Sequence, residues 1–330
     1  MTFVEAVRAW MKIEGRLPVN LTVLLEGEEE SASPSMVPFL TENTDELKAD
    51  IALVCDTNMW NRETPAISVL LRGLLYEEVI VKAAAHDLHS GYYGSAARNP
   101  IHVLVEILAD LHDKHGRVTL PGFYHGVPDV TPEQRAQWET LGFDEKAFLE
   151  AIGLSVPAGE TGYSPLEQIW ARPTAEVNGF LGGYTGEGAK TVIPASASAK
   201  VSFRLVGDQD PDTIQRSFRA FVNERLPADC TAEFLSHGGD RAVNQPSDSP
   251  WVQKAQQALS AEWGRQAVLI GMGGSIPIVT QFKRILGMDS LMIGFGLEDD
   301  RIHSPNEKYN LTSYHRGIRS WARVLAAIAE

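Results

Sequence analysis

The sequence predicts an α/β chain, a layered αβα domain interrupted by a smaller α+β domain. Three observations carry that expectation. Two apolar runs, Leu21-Thr-Val-Leu-Leu25 and Ile51-Ala-Leu-Val-Cys55, read as buried strands separated by room for one helix, about Pro34 to Lys48. Strand, helix, strand is the parallel crossover unit. The middle of the chain alternates strand, helix, two strands, helix and strand, the order of a split βαβ, ferredoxin-like sandwich. From Ser249 the first pattern returns, so the smaller domain is inserted into the larger.

Each element has its own signal. Phe3, Val4, Val7, Trp10 and Met11 recur at helical spacing, so the chain opens inside a helix. Ala66 to Leu71 is a further strand of the first layer, and the pattern changes after Arg72-Gly73. In the inserted part, strands are expected at Glu78–Leu88, Pro173–Phe180, Lys200–Val206 and Thr231–Leu235, and helices at Pro100–His112 and Asp212–Leu226. The proline-rich stretch Asp113–Arg172 reads as an insertion within it. A helix near Trp251–Trp263, a strand Leu291–Phe295 and a last amphipathic helix from about Ser313 complete the larger domain.

Composition narrows the function. At 330 residues with 44% hydrophobic content, the chain can bury sizeable cores. Lys and Arg number 29 against 43 Asp and Glu, a net charge of −14 that disfavours nucleic acid or an anionic membrane as partner. No apolar run reaches the roughly 18 residues that span a bilayer. The first residues carry charges where a signal peptide needs an apolar core. Two cysteines, Cys55 and Cys230, make no disulfide framework, so a reduced, cytoplasmic protein is expected.

Both leading runs end in acids: Glu26, Glu28, Glu29 and Glu30 after the first, Asp56 after the second. Ligands of open α/β sheets bind at the carboxyl ends of strands, so the two sets should converge on one sheet edge. Clustered carboxylates there cost repulsion and desolvation unless a cation sits among them. A metal is the natural candidate. The plain alternatives are a solvated charge patch for the glutamates and a turn cap for Asp56. His303 follows the strand Leu291–Phe295 and, with Glu30 and Asp56, makes an oxygen-and-imidazole set suited to zinc or manganese. Glu29 is a candidate base, because neighbouring loop residues seldom chelate one metal together and metal-assisted hydrolysis needs a proton acceptor. Gly186-Glu-Gly-Ala-Lys-Thr191 is no phosphate loop, since Ala189 replaces the glycine before lysine and Pro194 follows where a helix should start.

Five motifs then stand in order along the chain: Glu28-Glu-Glu-Ser31, Cys55-Asp56, His89-Ser-Gly-Tyr-Tyr-Gly94, Gly273-Gly-Ser-Ile-Pro277 and His303-Ser-Pro-Asn-Glu307. As a set they resemble those of the di-zinc metallopeptidases of family 20. The carnosinase-like and cytosolic non-specific dipeptidase branch is most similar, through Thr191-Val-Ile-Pro194 and Lys200-Val-Ser-Phe-Arg-Leu-Val206. The resemblance implies Glu29 as general base, Glu30 and His303 on one metal, and Asp56 on the other. His89, on a lid and dimerisation domain, would reach the partner subunit's active site and steady the oxyanion. Thr191, Arg204 and Ser275 would hold the substrate's terminal carboxylate. It further implies two zinc ions, with manganese as an alternative, a small peptide substrate and a homodimer formed through the lid.

Within that resemblance, a His-x-Asp element and a metal-bridging Asp precede the opening helix, in which Met1 stands here. The expectation is therefore an N-terminally truncated catalytic domain, residues 1–73 and 241–330, with the lid at 74–240. Ala32 occupies a position where the family usually has glycine, an exchange tolerated where φ is negative. Two other readings stay open: an impaired remnant that dimerises and binds peptide or metal weakly, and a related amidohydrolase of the deacetylase or aminoacylase kind.

Overall fold

A computed structural model describes residues 1–31 and 33–329, apart from the side chain of Glu30. Its strands are β1 (Ala52–Val54), β2 (Ala66–Leu71), β3 (Gly73–Lys82), β4 (Leu88–His89), β5 (Thr174–Gly182) and β6 (Val192–Ile193), then β7 (Ser196–Leu205), β8 (Thr231–Asp240), β9 (Val243–Asn244), β10 (Val268–Met272) and β11 (Ser290–Met292). The chain divides into two units. One comprises 1–71, 243–272 and 276–330, the other 72–242 and 273–275.

The first unit is built on a mixed sheet in the order β1-β11-β2-β10, with β9 also pairing with β2. β1 runs parallel to β11, and β10 runs parallel to β2. β2 is buried along nearly its whole length, as an apolar strand covered on both faces must be. Helices Thr2–Glu14, Pro250–Trp263 and Leu311–Ala329 belong to one apolar cluster with this sheet, in which Ala6, Ile67, Leu259 and Trp321 lose all or nearly all contact with water. Separate clusters around Val54, Leu71 and Val279, and around Met36, Leu40 and Leu286, belong to the short helices Met36–Glu42 and Pro277–Gln281.

The second unit contains a four-stranded antiparallel sheet in the order β5-β7-β3-β8. Numbered by their order in the unit, these strands lie 2-3-1-4, which is the split βαβ arrangement expected from sequence. Helices Pro100–Ala109 and Pro211–Arg225 pack Leu104, Ile107, Phe218 and Phe221 onto Val79, Val201 and Phe203. Glu77 lies fully buried among them, held by Arg219 at 2.8 and 3.1 Å and by Gln215 at 2.7 Å. A buried carboxylate survives only when paired in this way.

Several expectations are corrected. Leu21–Leu25 forms no strand, and Val23 and Leu25 are 60% and 85% exposed. A β-branched run becomes a strand only where another strand takes its ladder hydrogen bonds, and none of the described strands does. The leading crossover unit is therefore not formed. The segment after it is two helices rather than one, Met36–Glu42 and Thr44–Leu47. Asn43 breaks them apart by turning its side-chain amide back onto the Phe39 carbonyl at 2.8 Å. β3 starts and ends earlier than expected, because its end at Lys82 coincides with the ends of both neighbours, at Ser196 and Thr231. β11 is shorter than Leu291–Phe295, and β8 is longer than Thr231–Leu235. Among the described residues no helix is long and apolar enough to cross a membrane.

Candidate active site

In the first unit the site grows from two parallel strand ends. β1 and β11 leave the sheet side by side, and their exits stay joined by Ile293 N–H to Val54 O at 3.0 Å and Met59 N–H to Gly296 O at 2.9 Å. Glycine makes this approach possible. A Cβ at Gly294 would lie 1.8 Å from the Thr57 carbonyl oxygen, and one at Gly296 would lie 2.3 Å from Asn58 Oδ1. Asp56 stands exposed on the first exit.

His303 lies at the tip of the second exit, exposed, with φ at 62°. The loop is clamped at its base: buried Asp300 accepts hydrogen bonds from Leu297 N–H and Lys308 Nζ, each at 2.8 Å. The returning arm carries Tyr309, whose hydroxyl is pushed up to about 12 by burial, then by Asp300 and Cys55. Sequence reasoning missed this clamp, because nothing in an Asp-Asp pair says which carboxylate turns inward.

The glutamate run divides its labour. Glu28 is structural: its carboxylate accepts from Ser35 N–H at 3.2 Å and its carbonyl from Ser31 and Ser33 N–H at 2.9 and 3.0 Å. Glu29 is exposed at the start of the short 3-10 turn Glu29–Ser31. Glu26 Oε1 is buried without a hydrogen-bond partner, an arrangement that a nearby cation relieves. Glu30, the third expected metal donor, has its side chain outside the described residues, and Ala32 lies outside them altogether. Among the described residues no three His, Cys, Asp or Glu side chains gather as a metal site. The oxygen and imidazole donors of Asp56 and His303 are of the kind that suits a divalent cation.

The second unit holds the remaining expected residues. β4 pairs with β6, setting His89 opposite Val192. His89 Nε2 lies 3.3 Å from Thr191 Oγ1, and Nδ1 accepts from Gly91 N–H at 3.0 Å. The Ser90 N–H to Thr191 O bond, at 3.0 Å, locks the two segments together. Arg204 lies elsewhere in the unit, near the end of β7 opposite Leu74, and burial lowers its pKa. Ser275 belongs to the loop 273–275, where Gly273 O accepts from Arg72 Nε at 2.9 Å.

Residues 70–230 match the profile of a peptidase dimerisation domain, the M20 dimer domain. Along 99% of its length the chain is 27% identical to the Cys-Gly metallodipeptidase dug1 of Schizosaccharomyces pombe, of which it covers 70%. It is likewise 27% identical to the human Beta-Ala-His dipeptidase, along its whole length and 66% of that protein. Among solved structures, the dipeptidase Dug1p of Saccharomyces cerevisiae superposes with a TM-score of 0.82 at 25% identity, over 97% of this chain and 68% of the other. A metallo-carboxypeptidase of the M20 family from Sulfolobus solfataricus gives 0.86 at 29% identity, over 99% and 74%. The chain thus spans about two thirds of the length of the curated relatives it matches.

Proposed function

We propose that the chain is a member of metallopeptidase family 20 and acts within it as a metal-dependent dipeptidase, a reading its matches to that family's dimerisation domain and to metallodipeptidases support. The observation that carries this reading is the glycine-sealed approach of the β1 and β11 exits. It starts the loop that carries Asp56 and the loop that leads to His303 from adjacent strand ends, at the carboxyl edge of one sheet, the edge where such folds bind ligands. Bound with Glu30 and His303 as donors to one ion and Asp56 to another, a divalent metal, zinc in this reading, supplies Lewis acidity toward the peptide carbonyl.

The chain's own residues do the rest. Glu29 takes the proton from the attacking water. His89 donates from Nε2–H to the carbonyl oxygen as that oxygen gains charge, an interaction stronger in the transition state than in the ground state. In this reading His89 serves the active site of a second subunit, so the working form is a homodimer assembled through the domain matched at 70–230. Arg204, Thr191 and Ser275 hold the substrate's free carboxylate, with the guanidinium forming a two-pronged fork on it. The setting is cytoplasmic, and the substrates are small peptides of the Cys-Gly or β-Ala-His kind.

The deciding experiment is hydrolysis of Cys-Gly, β-Ala-His and N-acetylated amino acids by the purified protein, supplied with zinc or manganese and then with chelator. Chelator-sensitive dipeptide cleavage supports the proposal. Faster turnover of N-acetylated amino acids moves the reading to an amidohydrolase, and peptide binding without turnover under every metal moves it to a binding remnant.

A further inference from the structure

Two arginines of the second unit stand out by what they lack. Other partly buried or buried arginines there have carboxylates: Arg172 meets Glu160, and Arg219 meets Glu77. Arg72 and Arg204 are both partly buried, yet among the described residues neither forms an ion pair. They are neighbours all the same. Arg204 opposes Leu74 across the β3–β7 ladder, two residues beyond Arg72. Alternation along the strand sets Leu74 and Arg204 on the face opposite core residues Leu75, Phe203 and Leu205. Burial, then the adjacent positive charge of Arg204, pushes Arg72 down to about 10, with Glu176 pulling the other way.

The glycine loop is shaped around the first of these side chains. Arg72 Nε donates to Gly273 O at 2.9 Å. A Cβ at Gly273 would come within 3.1 Å of Arg72 Nη2 and 3.4 Å of Ile169 O, whereas one at Gly274 would meet open space. A side chain at 273 would therefore crowd the guanidinium where it lies against the loop. Two like charges half out of water, with one carboxylate nearby, leave about one positive charge uncompensated. That is a costly arrangement which a single carboxylate anion relieves.

We propose that Arg72 is a second guanidinium of the substrate-carboxylate seat, holding the glycine loop with Nε and turning its Nη edge to the anion that Arg204 also grips. The proposal rests on the dipeptidase reading for the identity of the anion. It gives Arg72 a share in that reading's discrimination between a free carboxylate and an amidated C-terminus. Arginine suits this double duty because its planar fork offers donors on two edges at once.

The test is ligand-observed NMR binding, which needs no turnover, with Ala-Gly and its C-terminal amide as probes. Chelator and the Glu29→Gln background prevent hydrolysis. The expected result is that the acid binds and the amide does not. Arg72→Gln should weaken the acid roughly tenfold, as expected for a lost hydrogen bond to a charged group, Arg204→Gln by at least as much, and Arg72→Lys less than Arg72→Gln. Thermal melts of each variant identify misfolding, and Arg72→Lys carries the test if Arg72→Gln does not fold. Undiminished acid binding by folded Arg72→Gln, with loss in Arg204→Gln, overturns the role of Arg72 while the dipeptidase reading stands. Equal binding of acid and amide by the unsubstituted chain overturns the carboxylate seat itself.

Discussion

His89 Nε2 lies 3.3 Å from Thr191 Oγ1 while its Nδ1 accepts the Gly91 N–H. A ring nitrogen that accepts from a backbone amide carries no proton, so in the neutral ring the proton sits on Nε2. The tight Ser90–Tyr93 turn thus turns the histidine into a fixed hydrogen-bond donor. Replacing His89 by Ala should lower kcat about a hundredfold with little change in KM, the signature of a contact made mainly in the transition state. Steady-state kinetics on Cys-Gly measure it, and a change confined to KM would contradict the role.

Glu29→Gln removes a base but not a metal donor. The rate should fall by three orders of magnitude or so, while elemental analysis finds the same metal content as in the unsubstituted chain. Loss of metal along with the rate would reassign Glu29 as a donor.

Gly294→Ala should be severe. Its Cβ would collide with the Thr57 carbonyl, so the β1 and β11 exits must part, and the collision is with backbone that cannot rotate away. Metal content and activity should fall together, and the urea midpoint should drop. A variant with full metal content would show that this approach does not form the site.

Arg219→Ala should destabilise the second unit by about 3 kcal/mol, because it strands the fully buried Glu77 carboxylate. Glu77→Gln should cost less, since Gln215 retains an acceptor there. Urea denaturation of the two variants decides the order.

Light scattering should give twice the mass of one chain at micromolar concentration. β5 is an edge strand of its sheet and exposes Val177, Phe180 and Leu181 at 46%, 44% and 61%, a surface suited to association. A single-chain mass at all accessible concentrations would count against the dimer.

Much of this fold can be read in the residues themselves. The helix Pro211–Arg225 shows a clean apolar stripe, Ile214, Phe218, Phe221 and Val222, and begins on proline at its first turn. β7 buries every second residue, Ala197, Ala199, Val201, Phe203 and Leu205, on its core face. Such elements declare themselves because the period of their buried face matches their geometry. Leu21–Leu25 has the same apolar character, yet it forms no strand, because strand formation depends on a neighbour that sequence composition cannot supply. Glu28, Glu29 and Glu30 look alike as letters, and only the position of Ser35 N–H separates the structural one from its neighbours.

By itself the sequence determined the split βαβ order of the inserted unit, the helices that flank it in the larger one, and the five motifs that name the chemistry, though not the layout of the leading segment 21–48. Only the tertiary structure decided which strands adjoin, and with them which distant residues meet. Gly294 faces Thr57 because β1 and β11 are parallel neighbours. Arg204 comes to the β3 end that follows Arg72 because the β3–β7 register sets it opposite Leu74. A register shifted by one residue would turn Arg204 to the other face of the sheet. Local propensity is a sum over nearby residues, whereas pairing is a choice among many distant partners settled by burial of the whole core. The chain can therefore announce its strands and motifs one by one, but their neighbours are fixed only when all of them pack together.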